Sequence, residues 1–312
     1  MAGRREDSLD ATMPMPAQVE STLPVLSPDD EQAASVFWPV DLDAHGATDP
    51  GLVRPRNEDQ FLIAELDRQL LIRESSVEST APTRWRTRRQ AALLAVADGM
   101  GGHAGGGMAS QVVLDALAGY LLHRLPWAGE LGEEGMASAD HQARSALVAC
   151  QERLTEVADR KGMLGGKPGT TLTAAYVAWP QLLILHVGDS RLYLMRAGTL
   201  TQLTTDHTVF TSPDRSDKRD ESSPMRHVLS NAIVSGPEQA FGEVRRLELD
   251  ARDQLLLCSD GLTEHVSDVE IARVLEDHAS VATACDELIE LARDGGGSDN
   301  ITAVVARFIQ RA

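Results

Sequence analysis

The chain has only three cysteines in 312 residues, Cys150, Cys258 and Cys285. Their spacings are long and no Cys-x-x-Cys pair occurs, which argues against a disulfide framework and against a zinc ribbon. Cys258 and Cys285 sit in apolar contexts and read as small core residues. The compartment expected from this usage is the reducing cytosol. No apolar run approaches the roughly 18 residues needed to span a bilayer. No apolar core follows Arg4 and Arg5, so the first residues do not read as a secretory signal. Positive charge is in deficit, with 29 Lys and Arg against 47 Asp and Glu and a formal net charge of -18. Such a surface repels phosphate backbones and anionic membranes, so neither nucleic acid nor membrane is an expected partner. There is no internal repeat.

What remains is an ordinary globular composition, 42% hydrophobic and 24% charged, enough for one large domain or two small ones. Residues 1–43 combine Met13-Pro14-Met15-Pro16, Pro24 and Ser27-Pro28-Asp29-Asp30-Glu31 with little periodicity, the composition of a disordered tail. Val36-Phe37-Trp38-Pro39-Val40 is an apolar island that either docks or starts a strand. Residues 44–312 are expected to form a single domain. Phe61–Ala64 reads as a strand, and Glu65–Gln90, with Arg84-Trp85-Arg86 inside it, as a long solvated loop. Ala91–Ala97 is a run of apolar residues closed by Asp98-Gly99, the mark of a strand buried on both faces. Ala109, Val112, Val113, Ala116, Leu117, Tyr120 and Leu121 recur at helical spacing. A second helix is expected from about His141 to Lys161. From Thr170 the pattern turns to strands: Thr171–Ala178, Leu182–Val187, Leu192–Met195 and Leu255–Cys258. Ser267-x-x-Glu270 is a capping box, Val281–Arg293 a further helix and Ile301–Phe308 a last strand. Helices segregate from strands, so the fold class is α+β with mostly antiparallel sheets.

Acids punctuate these strands. Asp98-Gly99, Asp189-Ser190 and Asp260-Gly261 each follow an apolar run, and Asp299 precedes one. Glu58-Asp59 sits just before Phe61. In antiparallel sheets the end of one strand lies beside the start of its neighbour, so acids in both positions can converge on one edge. Each Asp-Gly taken alone is an ordinary turn; four acids all at strand ends are harder to set aside. Convergent carboxylates without a His or Cys cluster suit magnesium, manganese or calcium. Two ions sharing a carboxylate would turn a bridged water into a hydroxide able to attack phosphorus. Arg54, four residues before Glu58, could hold a phosphate by paired hydrogen bonds.

In this order along residues 44–310, the motifs Gly51-Leu52-Val53-Arg54-Pro55-Arg56-Asn57-Glu58-Asp59, Ala97-Asp98-Gly99-Met100-Gly101-Gly102-His103, Gly169-Thr170-Thr171-Leu172, Val187-Gly188-Asp189-Ser190-Arg191, Cys258-Ser259-Asp260-Gly261-Leu262 and Gly297-Ser298-Asp299-Asn300-Ile301-Thr302 identify a resemblance. The chain resembles the metal-dependent Ser/Thr protein phosphatases of the type 2C or PPM family, in their compact bacterial form. The resemblance implies two mostly antiparallel β-sheets in a central sandwich, flanked by α-helices on both faces in four layers. It implies two manganese or magnesium ions, with a third, weaker one in some members. On the matching motifs, Asp98 bridges both ions, Asp260 and Asp299 hold the first, and Glu58 with the carbonyl of Gly99 holds the second. Arg54 binds the substrate phosphate, Asp59 supports bound water, and Asp189 matches a ligand of the third ion. The implied activity is hydrolysis of phosphoserine and phosphothreonine in proteins by a cytoplasmic monomer, opposing a Ser/Thr kinase.

Two departures stand out. Animal members place a His directly after the Asp-Gly, where this chain has Met100; His103 is a candidate for the same role. The segment after Asp206-His207-Thr208 is short and Asp-rich, leaving Asp214, Asp217 and Asp220 as alternative ligands of a third ion. The rival reading is a pseudophosphatase that binds phosphoproteins without turnover. Such proteins lose metal ligands, and Asp98, Asp260 and Asp299 are all present.

Overall fold

A computed structural model describes residues 38–67, 69–71, 84–86, 91–101, 105–124, 133–163, 167–209 and 228–311. In chain order its principal strands are β1 (Val40–Asp49), β2 (Gln60–Leu66), β3 (Ala91–Ala97), β4 (Leu172–Ala178), β5 (Gln181–Val187), β6 (Arg191–Arg196), β7 (Thr199–Gln202), β8 (Glu243–Glu248), β9 (Gln254–Cys258) and β10 (Ile301–Gln310). They form two five-stranded sheets, β1-β10-β9-β6-β7 and β8-β5-β4-β3-β2, in which every pairing is antiparallel. The helices are α1 (Gly105–Arg124), α2 (Glu133–Arg160), α3 (Asp260–Thr263), α4 (Asp268–Asp277) and α5 (Val281–Asp294).

The expected α+β sandwich is what the chain builds, and its layers follow from side-chain alternation. On β3, Ala91, Leu93, Ala95 and Ala97 pack with Val113, Leu117 and Leu121 of α1 and with Leu147, Cys150 and Leu154 of α2. The intervening Ala92, Leu94 and Val96 face the other sheet, among Leu192, Leu255, Leu257, Val304 and Phe308. A period of two with both faces covered explains the unbroken apolar run. On the outer face of the β1-β10-β9-β6-β7 sheet, Tyr193, Leu256, Cys258 and Val305 pack with Ile271 and Val274 of α4 and Ala284, Cys285 and Leu288 of α5. The capping box forms as expected: Glu270 N–H donates to Ser267 Oγ and Ser267 N–H to Glu270 Oε2.

Several boundaries differ from the sequence reading. The first strand begins at Val40, the last residue of the apolar island that the sequence alone allows as a docking segment or a strand start. The apolar island resolves in part: Trp38 is buried between the sheets beside Trp179, with ring centroids 6.2 Å apart. Glu65–Gln90 is not all loop, because Gln69–Leu71 and Arg84–Arg86 pair as a short antiparallel ribbon. The second helix starts at Glu133, earlier than His141. Strand β8 went unread because it is a sheet edge carrying Glu243, Arg245, Arg246 and Glu248. Edge strands bear such charges to discourage further pairing, and the charges erase the apolar alternation.

Candidate active site

Register brings the acids together. Gln60 pairs with Ala97 across β2 and β3, so Asp59 and Asp98 leave adjacent strand ends on the same side. Cys258 pairs with both Arg191 and Ala303, so Asp189, Asp260 and Asp299 also flank neighbouring strand ends. The convergence expected from antiparallel pairing is therefore present for these five aspartates.

Hydrogen bonds fix the segments that carry several of them. Asp98 N–H donates to Thr171 Oγ1 at 2.9 Å, and its carbonyl accepts from Thr171 N–H and Thr170 Oγ1. Thr171 Oγ1 in turn lies 2.7 Å from Ser190 Oγ, joining the turn that carries Asp189. Asp59 is buried, and its Oδ2 accepts from Ser259 Oγ and Thr302 Oγ1, both at 2.7 Å. Asp299 Oδ1 accepts from Asn300 N–H, and Oδ2 from Arg54 Nη2 at 2.6 Å. Glu58 N–H donates to Asn300 Oδ1, and Ser110 Oγ donates to the Glu58 carbonyl. A Cβ on Gly106 would lie 2.7 Å from Glu58 Oε2 and 2.6 Å from the Gly99 carbonyl. Glycine at the start of α1 thus lets Glu58 and Gly99 approach the helix closely.

Burial and like charge leave a strong electrostatic signature. Asp98 is held well above the usual carboxylate range by burial first, then by Asp59, Asp260, Asp189 and Asp299. Asp260 is raised well above it by burial, then by Asp189, Glu264, Asp299 and Asp59. Asp59 is pushed up to about 6 by burial, against the opposing hydrogen bonds of Ser259, Thr302 and Asp98. Asp189 is pushed up to about 6 by burial and by Asp206. Glu58 is not among these chief perturbers. Two buried oxygens, Asp59 Oδ1 and Asp260 Oδ1, have no hydrogen-bond partner, and a buried orphan carboxylate oxygen is costly unless a cation meets it.

The sequence reading passed over two residues. Glu264 follows Asp260 by one helical turn, raises its pKa and accepts from Ser298 Oγ at 2.9 Å; the four-residue spacing was the available signal. Asn300 braces the Arg54 loop, donating through Nδ2 to the carbonyls of Pro50 and Arg56. The candidates His103, Asp214, Asp217 and Asp220 lie outside the described residues.

Among the described residues, the group whose three ligand atoms all lie within 4.8 Å of one another is His186, His207 and Glu243, not the aspartates. The donor set of the histidine group would suit zinc, but its hydrogen bonding does not. His207 Nδ1 faces two donors, Gly188 N–H at 3.2 Å and Asn231 Nδ2 at 3.1 Å, which puts the ring proton on Nε2. A ligating His has the opposite pattern, with its second nitrogen donating outward. His186 is engaged at both nitrogens, by Thr173 Oγ1 and the Thr205 carbonyl, and burial pushes it down to about 4. This cluster braces Thr205–His207 against β5.

A family model for protein phosphatase 2C matches residues 80–305. The chain belongs to the protein phosphatase 2C family. It is 42% identical over 223 residues to the serine/threonine protein phosphatase PstP of Mycobacterium tuberculosis, covering 70% of this chain but only 41% of that one. It is 32% identical over 220 residues to the serine/threonine phosphatase stp of Listeria welshimeri, covering 68% and 83%. The PstP catalytic domain solved in complex with two manganese ions superposes with a TM-score of 0.62 at 35% identity, covering 86% of this chain and 99% of that one. Stp1 from Staphylococcus aureus superposes with a TM-score of 0.68 at 26% identity, covering 86% and 95%. Among the described residues of this family member, no helix is long and apolar enough to cross a membrane.

Proposed function

We propose that this chain is a metal-dependent protein phosphatase acting on phosphoserine and phosphothreonine. The observation that carries the reading is the buried aspartate cluster: Asp59 Oδ1 and Asp260 Oδ1 lack partners, and Asp98 and Asp260 are pushed far above the carboxylate range. All-oxygen donors of this kind fit manganese or magnesium. Asp98 would be shared between two ions, Asp260 and Asp299 would hold one, and Glu58 with the Gly99 carbonyl the other. Asp189 is the candidate for a third, weaker ion. Bound there, the ions supply Lewis acidity and lower the pKa of water to near neutrality.

The chain's own groups do the rest. Arg54 Nη2 donates to Asp299, and that contact uses one of five guanidinium donors. With a side chain 55% exposed, Arg54 retains donors to grip and orient a phosphate dianion. Asp59, held by Ser259 and Thr302, keeps a carboxylate oxygen free for a water in the site. The family relationship supports this reading, and the presence of Asp98, Asp260 and Asp299 disfavours a pseudophosphatase. A cytoplasmic monomer opposing a Ser/Thr kinase is the setting that goes with it. Hydrolysis of phosphothreonine peptides with manganese, abolished by chelator and restored by re-addition, is the expected result. Binding without release of phosphate would establish the pseudophosphatase instead.

A further inference from the structure

The loop that carries Arg54 presents an unusual surface. Leu52 is 61% and Val53 is 69% exposed. The other large exposed apolar residues are scattered, and among the described residues these two are the only consecutive pair. Scattered apolar residues on a surface need no explanation, whereas a contiguous pair beside a binding residue does.

The pair is not exposed through slackness. Gly51, at φ +75, donates its N–H to Asp49 Oδ1 at 2.8 Å. Leu52 N–H donates to the Gly297 carbonyl at 2.7 Å. Asn300 Nδ2 grips the carbonyls of Pro50 and Arg56 at 3.0 and 2.9 Å. A Cβ on Gly297 would lie 3.0 Å from Leu52 Cγ, so Leu52 already rests on that turn. The backbone on both sides of the pair is thus pinned to the strand end that bears Asp299, and the two side chains are held outward on a rigid support. Preorganised apolar surface of this kind binds without paying the entropy of ordering it.

We propose that Leu52 and Val53 form an apolar shelf that selects phosphoproteins carrying a large apolar side chain beside the phosphorylated residue. The inference rests on the phosphatase reading and adds a sequence preference to it. Consecutive Cα atoms are about 3.8 Å apart, so the shelf lies one and two residues from Arg54. Leu52 Cγ rests on Gly297 and Arg54 Nη2 donates to Asp299 two residues on, so shelf and grip sit on one turn, and a substrate phosphate held by Arg54 would bring the neighbouring side chains over Leu52 and Val53.

The test compares two phosphothreonine peptides that differ only beside the phosphothreonine, Leu in one and Ser in the other. The quantity read is the ratio of their kcat/KM values with manganese, for each enzyme variant. Wild type should favour the Leu peptide about five- to tenfold, the effect of half-burying an aliphatic side chain. Leu52→Ser with Val53→Ser should bring the ratio close to one. Leu52→Met and Val53→Ile keep apolar surface and should keep the preference, as should Val269→Ser, an exposed apolar position on α4. A wild-type ratio near one, or a preference that survives the double substitution, overturns the shelf. p-Nitrophenyl phosphate, too small to reach it, separates the two readings. If wild type turns over this ester while the peptide ratio is flat, only the shelf falls; if it turns over neither ester nor peptide, the phosphatase reading falls and takes the shelf with it.

Discussion

Replacing Asp59 by Asn removes a buried charge while leaving an oxygen to accept from Ser259 and Thr302. Asp59 titrates near 6 in the folded protein against an ordinary value of 3.8, chiefly because burial disfavours its ionised form. The folded state therefore holds this proton more tightly than the unfolded chain does. The stability that follows is complete below 3.8 and is lost as pH rises from 3.8 through 6. A displacement of that size amounts to about 3 kcal/mol once both states are ionised. In chelator at about pH 7.5, Asp59→Asn should be more stable than wild type by up to this amount, a rise in Tm of roughly 5–10 °C. At about pH 5 the advantage should fall to roughly half, because the folded wild type is by then largely protonated. Saturating manganese should narrow it, since cations supply the countercharge that burial withholds. Thermal melts of both proteins across pH, with chelator and with manganese, measure all of this. A variant less stable than wild type by the same margin at every pH would show that Asp59 serves as a hydrogen-bond acceptor and that its burial carries no charge penalty.

Arg54→Ala should lower kcat/KM for a phosphopeptide about ten- to a hundredfold, the loss of a charge-assisted contact. Because it also releases Asp299 Oδ2, manganese should bind more tightly by calorimetry; a collapse of metal binding would mean that Arg54 braces the ligand loop. Asp98→Asn should cost at least about a hundredfold in turnover and weaken manganese binding, and retention of activity would remove Asp98 from the centre of the site. Gly106→Ala places a methyl 2.6 Å from the Gly99 carbonyl and 2.7 Å from Glu58 Oε2. It should cost about 1–3 kcal/mol in chemical denaturation and weaken metal binding, whereas a silent substitution would show that the close approach has no role.

The sequence by itself determined which strands are buried and where the acids stand along the chain. Ala91–Ala97 read as a strand covered on both faces, and Asp98, Asp189, Asp260 and Asp299 at strand ends were placed to converge, because antiparallel pairing sets ends beside starts. Helical stripes on α1 and α2 were equally legible from period alone. Edge strand β8 was hidden by its charges. What the tertiary structure decided are contacts between residues distant in the chain. Asn300 gripping the loop from Pro50 to Arg56, Arg54 pairing with Asp299, and Glu264 facing Asp260 beside Ser298 depend on register and packing, which no local pattern encodes. The histidine cluster shows the same in reverse: His186, His207 and Glu243 meet in space, but Gly188 N–H and Asn231 fix the His207 proton, and that proton makes the cluster a brace.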